Sequence, residues 1–449
     1  GNNVLEVIST VRKLAEDMRE NPKPVLLESM TFRMRGHEEA SGTKYYPEGL
    51  QDSWKEFDPI DNYEQFLMGE GLLTENKKEV IEKAIKDKIN SHLEIAFAED
   101  KIIPDTETEV KDLFAPFENQ AIAPTSANTN EMRFIDAIQD GLKSGMERHD
   151  NLVIMGQDVA EYGGVFKVTE GFVEQFGKDR VRNTPICESA IVGAGLGLSI
   201  AGMKAVVEMQ FADFVTCGFN QIVNNLAKIH WRWGQNADVV VRMPTGAGSA
   251  AGPFHSQSNE AWFTHTPGLK VVYPSTPAEA KGLLLAAIED PNPVLFFEHK
   301  NLYRSIRGEV NEGYYTEEIG KAAIKKEGTD LTIITYGMGV HEALKLAEKR
   351  QDLSIEVLDL KTLLPLDEET IFASVEKTNR VLVFHEDCLN GGIGGELSAL
   401  ITERCFKSLD APVMRLASLD TPVPFAEDLE KNFLPFNKLE EKVEELLSY

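Results

Sequence analysis

The sequence predicts an α/β protein built on parallel sheets. Over residues 131–298, short apolar runs alternate with amphipathic or glycine-rich stretches of helical length, and the same alternation returns from Thr329 onward. Strand, helix and strand in regular succession are typical of parallel sheets whose faces are covered by helices. The predicted strands are NLVIMG, KAVVEM, DVVVRM, LKVVYP and PVLFFE in the first series, and LTIITYG, SIEVLDL, RVLVFHE and PVMRLA in the second.

The first hundred residues predict only part of such a unit. Apolar residues at helical spacing predict a helix over residues 4–19, and VLLES at residues 25–29 predicts a strand. Helix-forming sequence resumes over residues 74–99.

The length of 449 residues corresponds to about three domains of ordinary size. Residues 101–130 contain three prolines and end in an Ala/Pro/Thr/Ser/Asn tract, a composition typical of linkers. A weaker joint lies at residues 301–315. We therefore predict segments at 1–100, 131–315 and 316–449, with 101–130 as the linker.

The charge balance excludes several classes of protein. The chain has 46 Lys plus Arg against 73 Asp plus Glu, which gives 46 − 73 = −27 and argues against nucleic-acid binding. The four cysteines form no C-x-x-C pair, so they predict no zinc knuckle or iron–sulfur centre. No long apolar run and no signal-like start are present, and we expect a reduced, cytoplasmic protein without membrane contact.

Residues that directly follow the strands are the candidates for a functional site, because ligands of open parallel sheets bind there. Glu188 opens a glycine-rich helix in which Gly193, Gly195 and Gly197 only partly match a dinucleotide fingerprint. The alternative is a helix packed closely on its neighbours, with Glu188 as an acid favoured at the helix start. Phe214 follows another predicted strand.

The histidines differ in their surroundings. His255 lies in TGAGSAAGPFHSQSNEAW, a loop of small residues whose ordering needs a ligand or an interface. Taken alone, a loop histidine is more often incidental. His37 lies in a charged loop that is equally explained as solvated surface, and His341 and His385 lie near predicted core strands and are expected to be structural.

At these residues the chain resembles a known family, the thiamine diphosphate-dependent E1 component of 2-oxo acid dehydrogenase complexes. TFRMRGHEEASGTKYY and W-x(3)-DPI resemble the end of its α subunit, and residues 131–449 resemble its whole β subunit. The resemblance implies the end of a diphosphate-type α/β domain, a pyrimidine-type domain and a transketolase C-terminal-like domain. The β-type motifs are GQDVAEYGGVFKVTEGF, NTPICESAIVGAGLG, EMQFADF, HSQSNEAWFTHTPGLKVVYPSTP, LYRS, DLKTLLPLD and SLDTPVPF.

The resemblance also implies roles for single residues. Glu188 matches the glutamate that hydrogen-bonds N1′ of the aminopyrimidine, Phe214 an aromatic packed on that ring, and Ile186 the backbone position beside it. His255 matches the β-subunit active-site histidine, and His37 the α-subunit histidine near the diphosphate. A potassium site would fall on Ala237, Val239, Val240, Ala287, Asp290 and Asn292, for which an ordinary turn at 290–292 is an equal alternative.

The chemistry explains why a carboxyl group is needed. A carboxyl that shares its proton with N1′ turns the 4′-amino group of the cofactor into the base that removes the C2 proton. This sharing needs a dry pocket, for which Ile186, Cys187 and Phe214 are expected walls. Histidines can then supply protons and stabilise charge in the later steps.

Two departures from the family are visible. The G-D-G motif that binds Mg²⁺ with the diphosphate does not occur, so we expect the magnesium ligands upstream of Gly1 and interpret the chain as a fused α–β polypeptide. Glu38 stands where animal relatives carry a phosphorylatable serine, which excludes regulation by phosphate at that position.

The implied partners are a 2-oxo acid, a lipoyl-bearing E2 acyltransferase and a second copy of the chain, in a homodimer equivalent to an α2β2 tetramer. Branched-chain 2-oxo acids are the favoured substrates. The alternatives are a pyruvate or acetoin dehydrogenase E1, and a non-catalytic assembly subunit without cofactor.

Overall fold

The computed structural model describes residues 1–38 and 40–449, which form two units, Gly1–Pro104 and Asp105–Tyr449. Each unit is described separately. Within the described residues, none of the helices has the length and hydrophobicity needed to cross a membrane.

The first unit is helical. Three of the helices described here begin at a side-chain N-cap: Asn3, Asp58 and Thr74 accept hydrogen bonds from backbone amides in the first turn of the helix that each precedes. The helix that follows Gly49 has no such cap. These helices confirm the helical predictions for residues 4–19 and 74–99. The elements are α1 (Val4–Glu20), α2 (Leu50–Lys55), α3 (Pro59–Gly69) and α4 (Glu75–Ala98).

The strand predicted at residues 25–29 is wrong. These residues are irregular, and residues 1–38 and 40–104 contain no strand. A strand requires a neighbouring strand to complete its hydrogen-bond ladder, and the described part of this unit offers none.

The second unit begins with a seven-stranded sheet and its covering helices. Every residue of β2, β5, β6 and β7 is buried, which explains why these segments read as continuous apolar runs. The elements are α5 (Thr106–Lys111), β1 (Thr129–Arg133), α6 (Phe134–Arg148), β2 (Leu152–Gly156), α7 (Phe172–Phe176), β3 (Val181–Asn183), α8 (Glu188–Ile200), β4 (Lys204–Glu208), α9 (Ile229–Trp233), β5 (Val239–Thr245), α10 (Ala261–Thr264), β6 (Lys270–Val272), α11 (Pro277–Glu289), β7 (Val294–His299), α12 (Leu302–Ser305) and β8 (Arg307–Asn311).

A five-stranded sheet follows. The remaining elements of the second unit, which include β12 of the seven-stranded sheet, are β9 (Ala323–Lys326), β10 (Leu331–Thr335), α13 (Met338–Lys349), β11 (Ile355–Asp359), β12 (Thr362–Leu364), α14 (Glu368–Thr378), β13 (Val381–Cys388), α15 (Ile393–Cys405), β14 (Met414–Ser418), α16 (Glu427–Phe433) and α17 (Leu439–Leu447). All nine strands predicted after residue 131 are present.

Most strands within each of the two large sheets are parallel, and one strand from the carboxyl-terminal part joins the seven-stranded sheet. The strand orders are β12-β6-β7-β5-β4-β2-β3 and β14-β13-β10-β11-β9, and only β12 and β9 run antiparallel to their neighbours. Because β12 follows β11 in the chain but pairs with β6, the carboxyl-terminal part supplies the edge strand of the first sheet. A small antiparallel pair, β1–β8, completes the unit.

Most of the predicted linker lies within the second unit, where its residues are hydrogen-bonded to later parts of the chain. The backbone N–H of Ala115 donates to Asn292 Oδ1 (2.8 Å), and Asn292 Nδ2 donates to the carbonyl of Ala115 (3.1 Å). Ile122 N donates to Thr316 Oγ1 (2.8 Å). The predicted boundaries at residues 100, 130 and 315 stay predictions.

Candidate functional site

Glu188 is the first residue of α8 and is buried beside the carboxyl end of β2. Its Oε1 accepts a 2.9 Å hydrogen bond from Nε2 of Gln157, the buried residue that directly follows β2. An acid in the first turn of a helix is also favoured by the helix dipole. The carboxyl group is thus fixed by a strand end and a helix start, at the edge where parallel sheets bind ligands.

The glycines of α8 allow close packing. A Cβ at Gly195 would lie 2.9 Å from Val207 Cγ1, whereas a Cβ at Gly197 would meet nothing within 4 Å. Val207 belongs to β4, so Gly195 lets the helix lie directly on the sheet. This contact supports the close-packing interpretation of the glycine-rich helix.

A buried ionic cluster connects β4, β5 and β7 of the same sheet. Arg242 of β5 donates from Nε and Nη2 to the two carboxylate oxygens of Glu298 (2.7 and 2.8 Å), and from Nη1 to Glu208 (2.6 Å). Tyr303 donates to Glu298 at 2.6 Å. Burial raises the pKa of Glu208, against the opposing charge of Arg242. The cluster ties β4, β5 and β7 together.

Phe214 and His255 are brought together by an aromatic cluster. The ring of His255 contacts Phe211 and Phe214 edge-on, at centroid distances of 4.8 and 5.5 Å. Phe214 lies in a 3₁₀ helix (Ala212–Gly218) whose Gly218 packs against the first turn of α8: a Cβ there would lie 3.4 Å from the Glu188 carbonyl oxygen. The predicted pyrimidine-binding residues therefore occupy one end of the sheet.

The predicted pocket walls are only partly closed. Phe214 and Cys187 are half-buried, but the side chain of Ile186 is 85% exposed. The buried Glu188 carboxyl group thus lies beside an apolar side chain that this unit leaves uncovered.

His37 belongs to the first unit and is exposed. Its loop is held by Tyr46, which donates to the carbonyls of Arg33 (2.9 Å) and Arg35 (2.8 Å). The role of His37 stays a prediction.

The residues of the predicted potassium site lie around the amino-terminal end of β5. Asp290 is fully buried; its Oδ1 accepts from Asn292 N (3.0 Å) and Nδ2 (2.9 Å), and its other oxygen pairs with the Lys270 ammonium. The amide of Ala237 donates to the Pro291 carbonyl (3.0 Å). The Lys270 ammonium therefore already pairs with Asp290, and the potassium site stays a prediction. The other members are Val239 and Val240 in β5 and Ala287 in α11.

Of the two remaining histidines considered above, His341 is half-buried and His385 is buried. His341 Nε2 lies 2.8 Å from the carbonyl oxygen of Ser275. His385 is buried against Tyr336, and burial lowers its pKa to about 4, so this ring is neutral at physiological pH.

The end-of-strand rule would also have found Gln157, which directly follows NLVIMG. Glu386 and Glu430 contact the His255 loop, but neither directly follows a predicted strand: Glu386 is the last residue of RVLVFHE, and Glu430 lies in α16. Over residues 1–38 and 40–449, no three His, Cys, Asp or Glu side chains come together as a metal site.

Comparison with known proteins identifies the family. Residues 1–106 match the family described as dehydrogenase E1 component, residues 130–305 the transketolase pyrimidine-binding domain, and residues 320–438 the transketolase C-terminal domain. The 2-oxoisovalerate dehydrogenase β subunit of Bacillus subtilis is 48% identical over 71% of this chain and 99% of its own length. The chain belongs to the 2-oxo acid dehydrogenase E1 family. The predicted resemblance is thereby confirmed.

The relatives include proteins named for 2-oxoisovalerate and proteins named for pyruvate. The pyruvate dehydrogenase E1 β subunit of B. subtilis is 46% identical over 69% of this E1 chain and 96% of its own length. The solved structure titled "Split gene transketolase, inactive beta4 tetramer" matches with a TM-score of 0.57 at 21% identity, over 71% of this chain and 98% of that one. The latter likeness supports the fold alone, and with the domain matches it confirms the predicted transketolase-like α/β class.

Proposed function

We propose that this E1 chain uses thiamine diphosphate to decarboxylate a 2-oxo acid oxidatively and transfers the acyl group to a lipoyl arm of an E2 acyltransferase. The observation that carries the proposal is the buried Glu188–Gln157 pair at the sheet edge, with the aromatic cluster around His255 at the same end. A carboxyl group, an aromatic ring and an imidazole are the groups that an aminopyrimidine and a carbonyl substrate require.

When bound, thiamine diphosphate supplies the nucleophilic carbon and the electron sink for decarboxylation. Glu188 would hold a proton at N1′ of the bound cofactor, and Gln157 keeps its carboxyl group in place. Phe214 and the backbone of Ile186 would hold the aminopyrimidine ring. His255 exchanges protons with the substrate while the acyl group leaves, and His37 is proposed to act near the diphosphate.

The overall reaction balances with a disulfide as oxidant. The bond between C1 and C2 of the 2-oxo acid breaks and releases carbon dioxide. The acyl carbon then forms a thioester with one lipoyl sulfur as the sulfur–sulfur bond breaks. The other sulfur takes up a proton and becomes a thiol, so the disulfide accepts the two electrons. We expect Mg²⁺ to accompany the diphosphate; Mg²⁺ and K⁺ stay predictions.

The exposed Ile186 supports the proposed self-association. A proton shared between Glu188 and the cofactor needs a site from which water is excluded, because exposure to water weakens such an interaction. A second copy of the chain is proposed to cover this side, in a homodimer equivalent to an α2β2 tetramer.

The test is a substrate panel. The full-length polypeptide is incubated with thiamine diphosphate, Mg²⁺ and a lipoylated E2 domain. Acylation of the domain is measured for branched-chain 2-oxo acids, pyruvate and acetoin, together with release of carbon dioxide from the 2-oxo acids and of acetaldehyde from acetoin. Branched-chain 2-oxo acids are expected to give the highest kcat/KM.

A preference for pyruvate or acetoin would replace the proposed substrate. Absence of turnover with every member, together with saturable E2 binding, would favour the non-catalytic assembly role. Glu188→Gln is the inactive control, and Glu174→Gln, an exposed acid of α7, is its matched control.

A further inference from the structure

The loop that carries His255 has a backbone that must be held by outside contacts. Four of its residues have positive φ: Gly246 (93°), Gly248 (100°), Ala250 (54°) and Gly252 (73°). Ala250 is the costly member, because a side chain with a Cβ disfavours the left-handed region. Such a conformation persists only when surrounding groups over-determine it.

Two carboxylates from the carboxyl-terminal part of the chain bind the amides of this loop. Glu430 of α16 accepts from Gly248 N at Oε1 (2.8 Å) and from Ala250 N at Oε2 (2.9 Å). Glu386 of β13 accepts from Ala247 N at 2.6 Å. Alternating left-handed residues turn successive N–H groups toward one side, which forms a concave anion-binding backbone. Here that concave surface faces side chains of the same polypeptide.

Both carboxylates are buried and partnered. Glu430 is 3% exposed and Glu386 is 7% exposed. Glu386 also lies 2.6 Å from His299 Nε2. Although burial raises the pKa of Glu386, the neighbouring His299 and the Ala247 amide outweigh it, and the net pKa lies below the usual value. Loss of the loop contacts would deprive the buried Glu430 of both its amide donors and leave Glu386 with fewer, so the loop and the carboxylates stabilise each other.

The other end of the loop is anchored next to Phe214. Asp213 Oδ1 accepts from the backbone N of Gln257 (3.2 Å) and from its Nε2 (2.9 Å). His255 therefore lies between two anchors, with Glu430 and Glu386 on one side and Asp213 on the other.

We propose that Glu430 and Glu386 are positioning residues that hold the imidazole of His255 in its working place. The inference rests on the proposed function of His255. The carboxyl-terminal domain thereby contributes to the reaction through the shape of a loop, without touching the substrate.

A double-mutant cycle tests the proposal. Glu430→Ala should lower the rate of lipoyl acylation on the order of 10²-fold, as expected for a displaced reacting group, and leave the dissociation constant of thiamine diphosphate unchanged. In a His255→Ala background the same substitution should change the rate less than about threefold, because both changes remove one effect. Glu427→Ala, an exposed residue of the same helix, should behave as wild type.

Glu430→Gln serves as the conservative variant. It keeps one acceptor oxygen and should fall between wild type and Glu430→Ala, and it replaces Glu430→Ala in the cycle if that protein does not fold. Equal losses in the wild-type and His255→Ala backgrounds would show a merely structural role and overturn the proposal, as would full activity of Glu430→Ala.

Hydrogen exchange separates this inference from the proposed function. The amides of Gly248 and Ala250 should be protected in wild type and in Glu427→Ala, and should exchange at least tenfold faster in Glu430→Ala. Fast exchange in wild type would refute the positioning role even in an active enzyme. Slow exchange in a protein without decarboxylase activity would leave the loop contacts standing and would reject the proposed function instead.

Discussion

The Glu188 carboxyl group lies between two elements that leave it little freedom. Gln157 holds one of its oxygens, and the start of α8 fixes its backbone. Burial of a carboxyl group is tolerated because it is hydrogen-bonded and lies at a helix N-terminus. The same contacts hold the side chain ready for a ring nitrogen of a bound heterocycle.

Glu188→Gln should preserve the fold and remove the acid. Glutamine has nearly the same shape but cannot hold a proton at N1′, so exchange of the cofactor C2 proton with deuterium should slow on the order of 10²-fold or more. The exchange is followed by proton NMR of the full-length enzyme loaded with thiamine diphosphate and Mg²⁺. Exchange at the wild-type rate would rule out the role of Glu188, and an unchanged thermal transition would show that the fold is intact.

At the scale of an element, α8 contains two glycines whose surroundings differ. Its Gly195 is buried against β4 and β5, since a Cβ would lie 2.9 Å from Val207 Cγ1 and 3.4 Å from Val239 Cγ1. Gly197, two residues later, is exposed. The two glycines therefore have opposite consequences for stability in the same helix.

Gly195→Ala should destabilise the protein by about 1–2 kcal/mol, because overpacking in a close helix–sheet contact outweighs the gain in helix propensity. Gly197→Ala should stabilise it by about 0.5–1 kcal/mol, since only the propensity gain acts there. The measurement is the free energy of urea unfolding followed by circular dichroism. Two changes of the same sign would contradict the packing interpretation.

The elements that sequence reasoning found are those with a strong local signal. The buried strands read as apolar runs because helices cover both faces, and all nine predicted after residue 131 are present. The strands it missed are short or at edges, such as β12, whose pairing with β6 joins distant parts of the chain. The strand predicted at residues 25–29 shows the converse: apolar composition without a partner strand makes no ladder.

The candidate site divides in the same way. Glu188 and Phe214 follow strands and were found by position, and Gln157 was within reach of the same rule. Glu386 and Glu430 were not found, because they reach the His255 loop from 139 and 182 residues away along the chain, and only the tertiary structure brings them to it.

At the scale of the second unit, a buried polar cluster lies on the seam between the two large sheets. Asp359 accepts from Ser275 Oγ at 2.5 Å and from Lys361 N at 3.1 Å, and Lys325 pairs with both Asp359 and Glu279. Burial and the nearby Glu279 raise the pKa of Asp359 to about 7, against the attraction of Lys325. The pKa of Glu279 is lowered, because its lysine partners outweigh burial.

The raised pKa of Asp359 determines the direction in which the unfolding free energy changes with pH. The folded protein binds this proton more tightly than the unfolded chain, so the stabilisation is complete below about pH 4 and is lost as the pH rises toward 7. Asp359→Asn removes this titration, and the fall in unfolding free energy between pH 5 and pH 8 should be smaller than in wild type. Glu279 titrates below this window. Urea unfolding at both pH values is the measurement.

Asp428→Asn, at an exposed position of α16, is the matched control and should keep the wild-type pH dependence. An equal fall in Asp359→Asn and wild type would show that Asp359 is already ionised at pH 5 in the folded protein.

Because Glu386 and Glu430 hydrogen-bond to the His255 loop, domains of such enzymes cannot be exchanged freely between paralogues. Consider a chimaera that joins this pyrimidine-type domain to the carboxyl-terminal domain of a paralogue. Its His255 loop keeps its conformation only if the paralogue has acidic residues at the positions of both Glu386 and Glu430. Where it does not, the hybrid keeps every residue that faces the cofactor and still loses rate. The two domains must therefore be exchanged together, although each has its own sheet.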